Sequence, residues 1–137
     1  MGNTSFEYER VPFYYETDKM GIVHHSNYIR WFEEVRIAYM EDRGYPYSRM
    51  ESEGVMIPVL GVDCKYKIPV KFGQPVLIRG KIDLFDGLRL NVSYEIVDKE
   101  TGKIHVTGHT EHCFVKSDSF RPLRLTKTHP EMAEIFM

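Results

Sequence analysis

The sequence has few of the features that mark a membrane, secreted or nucleic-acid-binding protein. It contains only two cysteines, Cys64 and Cys113, and their wide separation in alternating apolar surroundings favours buried thiols over a close metal or redox pair. No window approaches the roughly 18 apolar residues of a membrane-spanning helix, and the N-terminal MGNTSFEYER has no apolar signal core. The formal net charge of −2 gives no global attraction to nucleic acid. We expect a cytoplasmic protein with no membrane span and no nucleic-acid partner.

The sequence also lacks the motifs of several familiar hydrolases. It has no G-x-S-x-G elbow to present Ser26 as a nucleophile, so a helix cap is the simpler role for this residue. His109, Glu111 and Cys113 alternate along one predicted strand face and could bind a metal, but the His105-x-x-x-His109 spacing suits zinc only on a helix. We therefore predict a polar strand face and no metal site.

The length and the hydrophobic pattern predict one domain with a long helix. A chain of 137 residues is long enough to bury about two-thirds of its unfolded surface, so we expect a single domain over residues 1–137. From Asn27 onward, large apolar side chains recur every three or four residues, which predicts an amphipathic helix of about five turns. Gly44 and the Tyr45-Pro46 pair that follows it should end this helix.

The rest of the chain has the pattern of strands and tight turns. Aromatic and β-branched residues predict a first strand over 6–16, with Pro12 marking an edge or irregular position. Four further strands are predicted after the helix, over 55–68, 75–85, 88–98 and 103–116. Short turns between them favour antiparallel pairing of consecutive strands. The fold class is therefore α+β, an antiparallel five-stranded sheet wrapped around one long central helix.

The segment YYETDKMGIVHHSNY, residues 14–28, places an acid just before the start of this helix. Helix N-terminal amides carry a partial positive charge and lack intrahelical partners, so they bind a carbonyl oxygen well. Asp18 could then reach the carbonyl carbon, either as a nucleophile or by activating water as a general base. Gly21 would let the backbone turn sharply or pass close to a substrate. The alternative is a surface turn at Asp18 and a helix capped by Ser26 or Asn27.

The run from Thr17 to Tyr28, TDKMGIVHHSNY, resembles the signature of the 4-hydroxybenzoyl-CoA thioesterase family of hotdog-fold acyl-CoA thioesterases. That signature has Thr or Cys, Asp, two free positions, Gly, two aliphatic residues, an aromatic residue, a His, Tyr or Pro, a small residue and Asn-Tyr. The strand, helix and four-strand order extends the resemblance over nearly the whole chain. The resemblance implies hydrolysis of a fatty or aromatic acyl-CoA to free acid and CoA, with no cofactor beyond the CoA of the substrate.

The resemblance also implies roles for individual residues. The family's catalytic acid falls on Asp18, and its carbonyl-polarising backbone amide falls on His25. The positions that would contact the substrate are Gly21, Val23, His24, Asn27 and Tyr28. His24 departs from the family pattern, which usually has an aromatic residue there, and this departure leaves the identity of the acyl group open.

Coenzyme A and an oligomer are the partners that the resemblance implies. Basic residues near the predicted strand ends could bind the CoA phosphates, namely Arg89, Lys116, Arg121 and Arg124. Acyl carrier protein is an alternative carrier of the acyl group. Because relatives with this fold pair their sheets edge to edge, we expect a homodimer, or a homotetramer built from two dimers.

Two other functions remain open at the level of the sequence. Hotdog folds include acyl-thioester dehydratases, which rely on a histidine with a carboxylate, and His25 with Asp18 could supply that pair. A non-catalytic acyl-CoA-binding module is the other alternative. A module that only binds has no need of an acid against a helix N-terminus, so Asp18 discriminates between these hypotheses.

Overall fold

The computed structural model describes residues 4–137, so the first three residues of the N-terminal segment lie outside it. Seven strands and four α-helices follow one another in this part of the chain. Their bounds are β1 (Ser5–Arg10), α1 (Ser26–Asp42), α2 (Tyr47–Ser52), β2 (Val55–Met56), β3 (Val59–Tyr66), β4 (Val76–Phe85), β5 (Arg89–Asp98), β6 (Ile104–Cys113), β7 (Val115–Lys116), α3 (Leu125–Thr128) and α4 (Pro130–Glu134). No helix in residues 4–137 is both long and apolar enough to cross a membrane.

The predicted five-stranded antiparallel sheet is confirmed, in the order β1-β4-β5-β6-β3. The prediction that all consecutive strands pair is wrong for β3, which pairs with β6 and not with β4. The connection over residues 67–75 is longer than a hairpin turn, and it passes the start of α1. There the Val70 N–H donates to the Tyr28 hydroxyl at 3.2 Å, and the Val23 N–H donates to the Val70 carbonyl at 2.8 Å. This connection therefore carries the chain from one edge strand of the sheet towards β4.

Prolines divide two of the predicted strands. The first strand ends at Arg10, and Tyr14–Glu16 form a 3-10 turn, because Pro12 has no N–H to continue the ladder with β4. The strand predicted over 55–68 is split near Pro58 into β2 and β3, and β2 pairs with β7 in a separate two-stranded sheet. These breaks leave the chain free to change direction beside the site described below.

Helix α1 lies against the sheet along an apolar stripe. Its 17 residues span about 26 Å, and it contacts β1, β3 and β4. The Phe32 ring stacks on Tyr94 of β5 with centroids 4.3 Å apart. Gly44, at a φ of 80°, follows the end of α1, as predicted. The buried residues of α1 are Asn27, Tyr28, Trp31, Phe32, Val35, Tyr39 and Met40.

Candidate active site

A closed loop places Asp18 beside the start of α1. Thr17 and Val23 form an antiparallel bridge, and within it the Asp18 N–H donates to the Ile22 carbonyl at 2.9 Å. The Gly21 N–H donates to the Asp18 carbonyl at 3.1 Å, and the φ of Gly21 is 75°. A side chain is strained at this φ, so the glycine is required by the turn. The loop fixes the backbone of Asp18 close to the residues that enter the helix.

The Asp18 carboxylate keeps one oxygen for other partners. Its Oδ1 accepts a hydrogen bond from the Met20 N–H at 2.8 Å. In residues 4–137 the carboxylate makes no second hydrogen bond, and the residue is partly exposed. Oδ2 can therefore contact a water molecule or a carbonyl carbon from the solvent side.

The start of α1 leaves one amide without a partner. The Ser26 N–H lies 3.3 Å from His24 Nδ1, the Asn27 N–H donates to the His24 carbonyl at 3.0 Å, and the Tyr28 N–H donates to the His25 carbonyl at 3.3 Å. None of the hydrogen bonds in the described part of the chain uses the His25 N–H. This amide is the available donor at the positive end of the helix dipole.

The prediction that Ser26 or Asn27 caps the helix amides is wrong. The acceptor at the Ser26 amide is the His24 imidazole, which also lies 2.8 Å from the Ser26 hydroxyl. Asn27 is buried, and its side-chain amide donates to the carbonyls of Glu16 and His24 at 2.9 and 3.3 Å. The Asn27 side chain therefore connects the segment before Asp18 to the start of α1. Helix-cap rules do not predict this role, because a cap accepts hydrogen bonds from helix amides.

Buried Glu16 supports the loop two residues before Asp18. Its two carboxylate oxygens accept hydrogen bonds from Arg10 at 2.7 and 2.8 Å, and they also accept the Phe13 N–H at 2.8 Å and the Trp31 indole N–H at 2.9 Å. Burial acts to raise the pKa of Glu16, but these hydrogen bonds outweigh it and hold the pKa below its usual value. Glu16 is therefore ionised at neutral pH, although only 4% of it is exposed.

The backbone of Glu16 joins the two sides of the site. Its carbonyl accepts the His24 N–H at 2.8 Å and the Asn27 side-chain amide at 2.9 Å. Asp18 follows on one side of this carbonyl, and the start of α1 lies on the other. Sequence analysis missed Glu16 and Arg10, although two opposite charges within an aromatic segment were a signal that they could pair.

Aromatic rings cover the helix start on the side of β3. The rings of His24 and His25 stack with centroids 4.3 Å apart, and Tyr66 lies edge-on to His25 at 5.8 Å. Tyr66 also contacts Tyr28, with centroids 5.6 Å apart. Val23 and Tyr28 are buried, whereas both histidines are exposed. Tyr66 was not anticipated from the sequence, because a strand register is needed to bring it there.

The four predicted CoA-binding residues lie together, but far from Asp18 of the same chain. Arg89 pairs with Cys113 at the end of β6. At the start of β6, the backbone carbonyl of His105 accepts the N–H groups of residues 67 and 68, which lie on the Asp18 side. The eight residue-to-residue steps from His105 to Cys113 span about 26 Å. The remaining three cations are exposed near the Arg89 end, namely Lys116, Arg121 and Arg124.

Another exposed cation lies closer to the loop of Asp18. Lys71 forms an antiparallel bridge with Ile22, and its side chain is exposed. Among residues 4–137, no three histidine, cysteine or acidic side chains are grouped as metal ligands. His109 instead faces Asp63 on the neighbouring strand, with Nδ1 and Oδ1 separated by 3.0 Å at the surface.

Comparison with known proteins places this arrangement in a family. A model of the thioesterase-like superfamily matches residues 11–136. YneP of Bacillus subtilis, provisionally named an acyl-CoA thioesterase, is 35% identical over 118 residues, which cover 86% of this chain and 85% of YneP. The acyl-CoA thioester hydrolase YbgC of Escherichia coli O6:H1 is 24% identical over 100 residues, covering 73% of this chain and 75% of YbgC.

A solved structure gives the same result for the fold. The DHNA-CoA thioesterase of Staphylococcus aureus superposes with a TM-score of 0.89 at 34% sequence identity, covering 96% of this chain and 88% of that one. The fold is thus the hotdog fold of thioesterases, built on an antiparallel sheet. The resemblance in the Asp18 loop is confirmed at the level of the superfamily. The chain belongs to the thioesterase-like superfamily.

Proposed function

We propose that this protein is a thioester hydrolase that converts an acyl-CoA to free acid and CoA. The observation that carries the proposal is the unpartnered His25 N–H at the start of α1, close to a loop that holds the Asp18 carboxylate with one oxygen free. The relatives YneP and YbgC carry names of the same activity. Such a pair supplies a donor for the carbonyl oxygen and an acid for the carbonyl carbon.

The proposed reaction assigns a separate task to each group. The thioester oxygen accepts the His25 N–H, and the positive end of α1 stabilises the charge that develops on it. Asp18 removes a proton from a water molecule that adds to the carbonyl carbon, and the tetrahedral adduct then expels the CoA thiolate, which takes up a proton. Direct attack by Asp18 followed by hydrolysis of the resulting anhydride balances equally well.

The acyl group and the carrier belong to the same proposal. We propose an aromatic or fatty acyl group, and CoA as its carrier, with acyl carrier protein as the alternative. The 4-hydroxybenzoyl-CoA branch is a proposal at this finer level, since the solved neighbour from S. aureus is a DHNA-CoA thioesterase. Because Arg89, Lys116, Arg121 and Arg124 lie at the far end of β6 from Asp18, we propose that they bind CoA seated on a second protomer.

Several wider features complete the proposal. Residues 1–137 form one domain in which α1 is the long central helix of the fold. The reaction uses no metal or redox cofactor and no nucleic acid, and it takes place in the cytoplasm. The Asp18 and His25 chemistry described above needs no further group, and this supports a reaction without a metal or redox cofactor.

The two alternative functions receive less support from the geometry. A dehydratase would need the His25 imidazole to work with a carboxylate, yet in residues 4–137 this ring makes no hydrogen bond with Asp18 and stacks on His24 instead. A module that only binds would not need both an unpartnered amide at the start of the helix and a carboxylate with a free oxygen on the neighbouring loop. Hydrolysis uses both groups.

A substrate panel tests the proposed function. Purified protein is mixed with short, medium and aromatic acyl-CoAs, and free CoA is measured with a thiol-reactive dye. CoA should be released, and Asp18→Asn should lower kcat by at least about a hundredfold, the scale of losing a catalytic base. Asp83→Asn is the matched control, because Asp83 is an exposed acid on β4. No release from any substrate would overturn the proposal, and a dehydrated product without CoA release would favour the dehydratase.

We also propose that β3 is the edge at which two protomers pair. On the opposite edge, Glu7 and Glu9 of β1 form ion pairs with Arg79 and Lys99 at 3.0 and 2.7 Å, so that edge is covered by charge. β3 instead exposes apolar side chains on an unpaired edge, which in a lone protomer invites association. Its exposed apolar residues are Val59, Leu60, Val62 and Tyr66.

Light scattering tests the homodimer, and its mass also distinguishes a tetramer. The wild-type protein should have a mass at least twice the 16.1 kDa of the chain at micromolar concentration. Val62→Lys on β3 should shift it towards the monomer, whereas Glu9→Lys on β1 should leave the mass unchanged. A wild-type protein with the mass of a single chain would contradict the proposed dimer.

A further inference from the structure

The connection between β3 and β4 contacts the Asp18 loop directly. Ile22 of the loop forms an antiparallel bridge with Lys71 of the connection. The carbonyl of Gly21 accepts the Phe72 N–H at 3.0 Å. Both loop residues also bond Asp18, because the Ile22 carbonyl accepts its N–H at 2.9 Å and the Gly21 N–H donates to its carbonyl at 3.1 Å. The backbone of Asp18 is therefore linked to the connection by two routes, one through each of these residues.

Gln74 fixes the connection at the point where it contacts the loop. The Gln74 Oε1 accepts the Lys71 N–H at 3.0 Å, and the Gln74 N–H donates to the Lys71 carbonyl at 3.1 Å. Lys71 is the residue that forms the bridge with Ile22. The Nε2 of Gln74 also donates to Oδ1 of Asp98, the last residue of β5, at 2.9 Å. One side chain thus joins the connection to the five-stranded sheet.

The two partners of this side chain require an amide at position 74. The Lys71 N–H can only donate and an ionised carboxylate can only accept, so the group between them must do both. Asp98 is ionised at neutral pH, because hydrogen bonds from Gln74 and then from Thr101 lower its pKa to about 2. The Oδ2 of Asp98 accepts the N–H and the hydroxyl of Thr101 at 2.8 and 2.9 Å. Its Oδ1 is thus the oxygen that accepts from Gln74.

His105 supports the first half of the same connection. Its backbone carbonyl accepts the N–H groups of Lys67 and Ile68 at 2.9 and 3.0 Å. Its ring Nδ1 lies 3.2 Å from the carbonyls of both Ile68 and Pro69, and it carries a proton because carbonyls can only accept. His105 is 5% exposed, and its Nε2 lies 3.5 Å from Nε2 of Gln74. The connection is therefore held along its length by groups that the proposed chemistry does not use.

We propose that Gln74 is a positioning residue for Asp18. It holds the Lys71 backbone against Asp98, and the Lys71 backbone pairs with Ile22, whose carbonyl accepts the Asp18 N–H. The role rests on the proposed thioesterase function, in which the Asp18 carboxylate must reach the thioester carbon or its water. A displacement of about 1 Å at a reacting group can cost about a hundredfold in rate. Gln74 therefore affects kcat without contacting the substrate.

An exchange of the two side chains provides a matched test. Gln74→Glu removes the donor to Asp98 and brings two carboxylates together, so the contact should break. Adding Asp98→Asn reverses donor and acceptor, because the new amide can donate to the carboxylate at position 74, which still accepts the Lys71 N–H. The amide oxygen at position 98 can then accept from Thr101, and the net charge equals that of the wild type. The contact that this double variant does not reproduce is the one with Nε2 of His105.

The structural arm measures amide hydrogen exchange by NMR without any substrate. Each rate is divided by that of the Tyr94 N–H in the middle of β5, which corrects for changes in global stability. In Gln74→Glu the relative exchange rates of the Asp18 and Phe72 N–H groups should rise at least about tenfold. In the double variant they should return to within about threefold of the wild type. Gln74→Met removes both donor and acceptor and should have at least the effect of Gln74→Glu.

The kinetic arm separates positioning from a loss of stability. Gln74→Glu should lower kcat for an acyl-CoA about tenfold with KM within about twofold, and the double variant should recover most of kcat. In an Asp18→Asn background, Gln74→Glu should lower the residual rate by less than about twofold, because no carboxylate is left to position. Tyr45→Phe is the control, since it removes a hydrogen bond to Glu53 beyond the other end of α1 and should leave kcat unchanged. Melting temperatures confirm that the variants are folded.

Three results would overturn the positioning role. The first is exchange of the Asp18 and Phe72 N–H groups that follows Tyr94 in both Gln74→Glu and Gln74→Met. The second is a kcat that these two variants leave within about twofold of the wild type. The third is a full tenfold loss of rate that persists in the Asp18→Asn background. If the wild type hydrolyses no acyl-CoA, the proposed function fails, and the exchange arm alone decides whether Gln74 fixes the Asp18 loop.

Discussion

The two halves of α1 differ in where their polar groups lie and in what those groups contact. At the N-terminus, Asp18 is partly exposed and His25 is exposed, and two buried polar residues nearby, Glu16 and Asn27, are hydrogen bonded within the protein. Beside the second half of α1, the unengaged polar atom is itself buried, on His112. Reactive groups are thus exposed on a rigid support at one end, whereas a polar ring is enclosed at the other.

The difference indicates a division of labour within one helix. A thioester and a water molecule must both reach Asp18, so exposure is required there, and the Arg10 to Glu16 network provides rigidity from below. Beside the second half of α1 water is excluded, and burial there keeps the His112 ring neutral. The following predictions test whether the two regions are separable, from the largest expected effect to the smallest.

The support of the N-terminal region is the first target. Glu16→Gln should destabilise the protein by about 3–5 kcal/mol, because it removes the buried charge that accepts Arg10 and Trp31 and leaves Arg10 paired only with the partly exposed Glu34. Glu34→Gln is the control, since Glu34 also binds Arg10 at 2.9 Å but its side chain is 34% exposed. Urea unfolding measures both free energies. Equal losses of unfolding free energy in the two variants would show that the burial of Glu16 does not determine how much the network stabilises the protein.

The pH dependence of stability probes the region around His112 separately. The folded-state pKa of His112 is about 4 and the unfolded value is about 6.5, so the unfolded state binds more protons between these pH values. The contribution of His112 to the free energy of unfolding is therefore fully present above about pH 6.5. It falls by about 3 kcal/mol as the pH drops to about 4.

Urea unfolding of wild type and His112→Gln across this range checks the prediction. The variant should lose the slope above about pH 4.5 but keep the decline below it, which comes from Glu16, Asp86 and Asp98, because the pKa values of these three acids are lowered in the fold. A wild-type stability that is flat between about pH 6.5 and 4.5 would show that His112 is not held neutral.

The contact between α1 and β6 should tolerate little change. A Cβ on Gly108 would lie 2.5 Å from the Phe32 ring and 2.8 Å from the backbone oxygen of Asp63, so Gly108→Ala should cost about 1–3 kcal/mol. In Gly61→Ala the nearest atom is the end of the flexible Glu111 side chain, at 3.1 Å, so the loss should be smaller. Thermal unfolding ranks the two variants, and the reverse order would contradict the packing described for α1.

The smallest effect is expected at His24, where the chain departs from the family pattern. If its ring lines the acyl group, His24→Phe replaces a polar ring by an apolar one and should improve aliphatic or aryl substrates a few-fold. In the structure, His24 is exposed and hydrogen bonded to Ser26. An unchanged substrate ranking would show that His24 serves only the helix start.

The parts of the structure that follow from local sequence were predictable. Helix α1 and its end at Gly44 depend on apolar spacing and a glycine close in sequence, and the Asp18 loop depends on a contiguous motif. The pairing of β3 with β6 was not predictable, because the length of the connection after β3 does not show which strand β3 will pair with. Glu16 and His112 were missed for a related reason, since Trp31 beside Glu16 and the helix α1 beside His112 reach these residues only after the chain has folded.

The most direct test of the central claim is kcat for Asp18→Asn at saturating concentrations of two substrates, a hydroxynaphthoyl-CoA and a naphthoyl-CoA. The account predicts that both values fall by at least about a hundredfold and by the same factor, because Asp18 acts on the thioester and not on the acyl group. A variant within about twofold of the wild type on either substrate would contradict the assignment of the chemistry to the N-terminal end of α1.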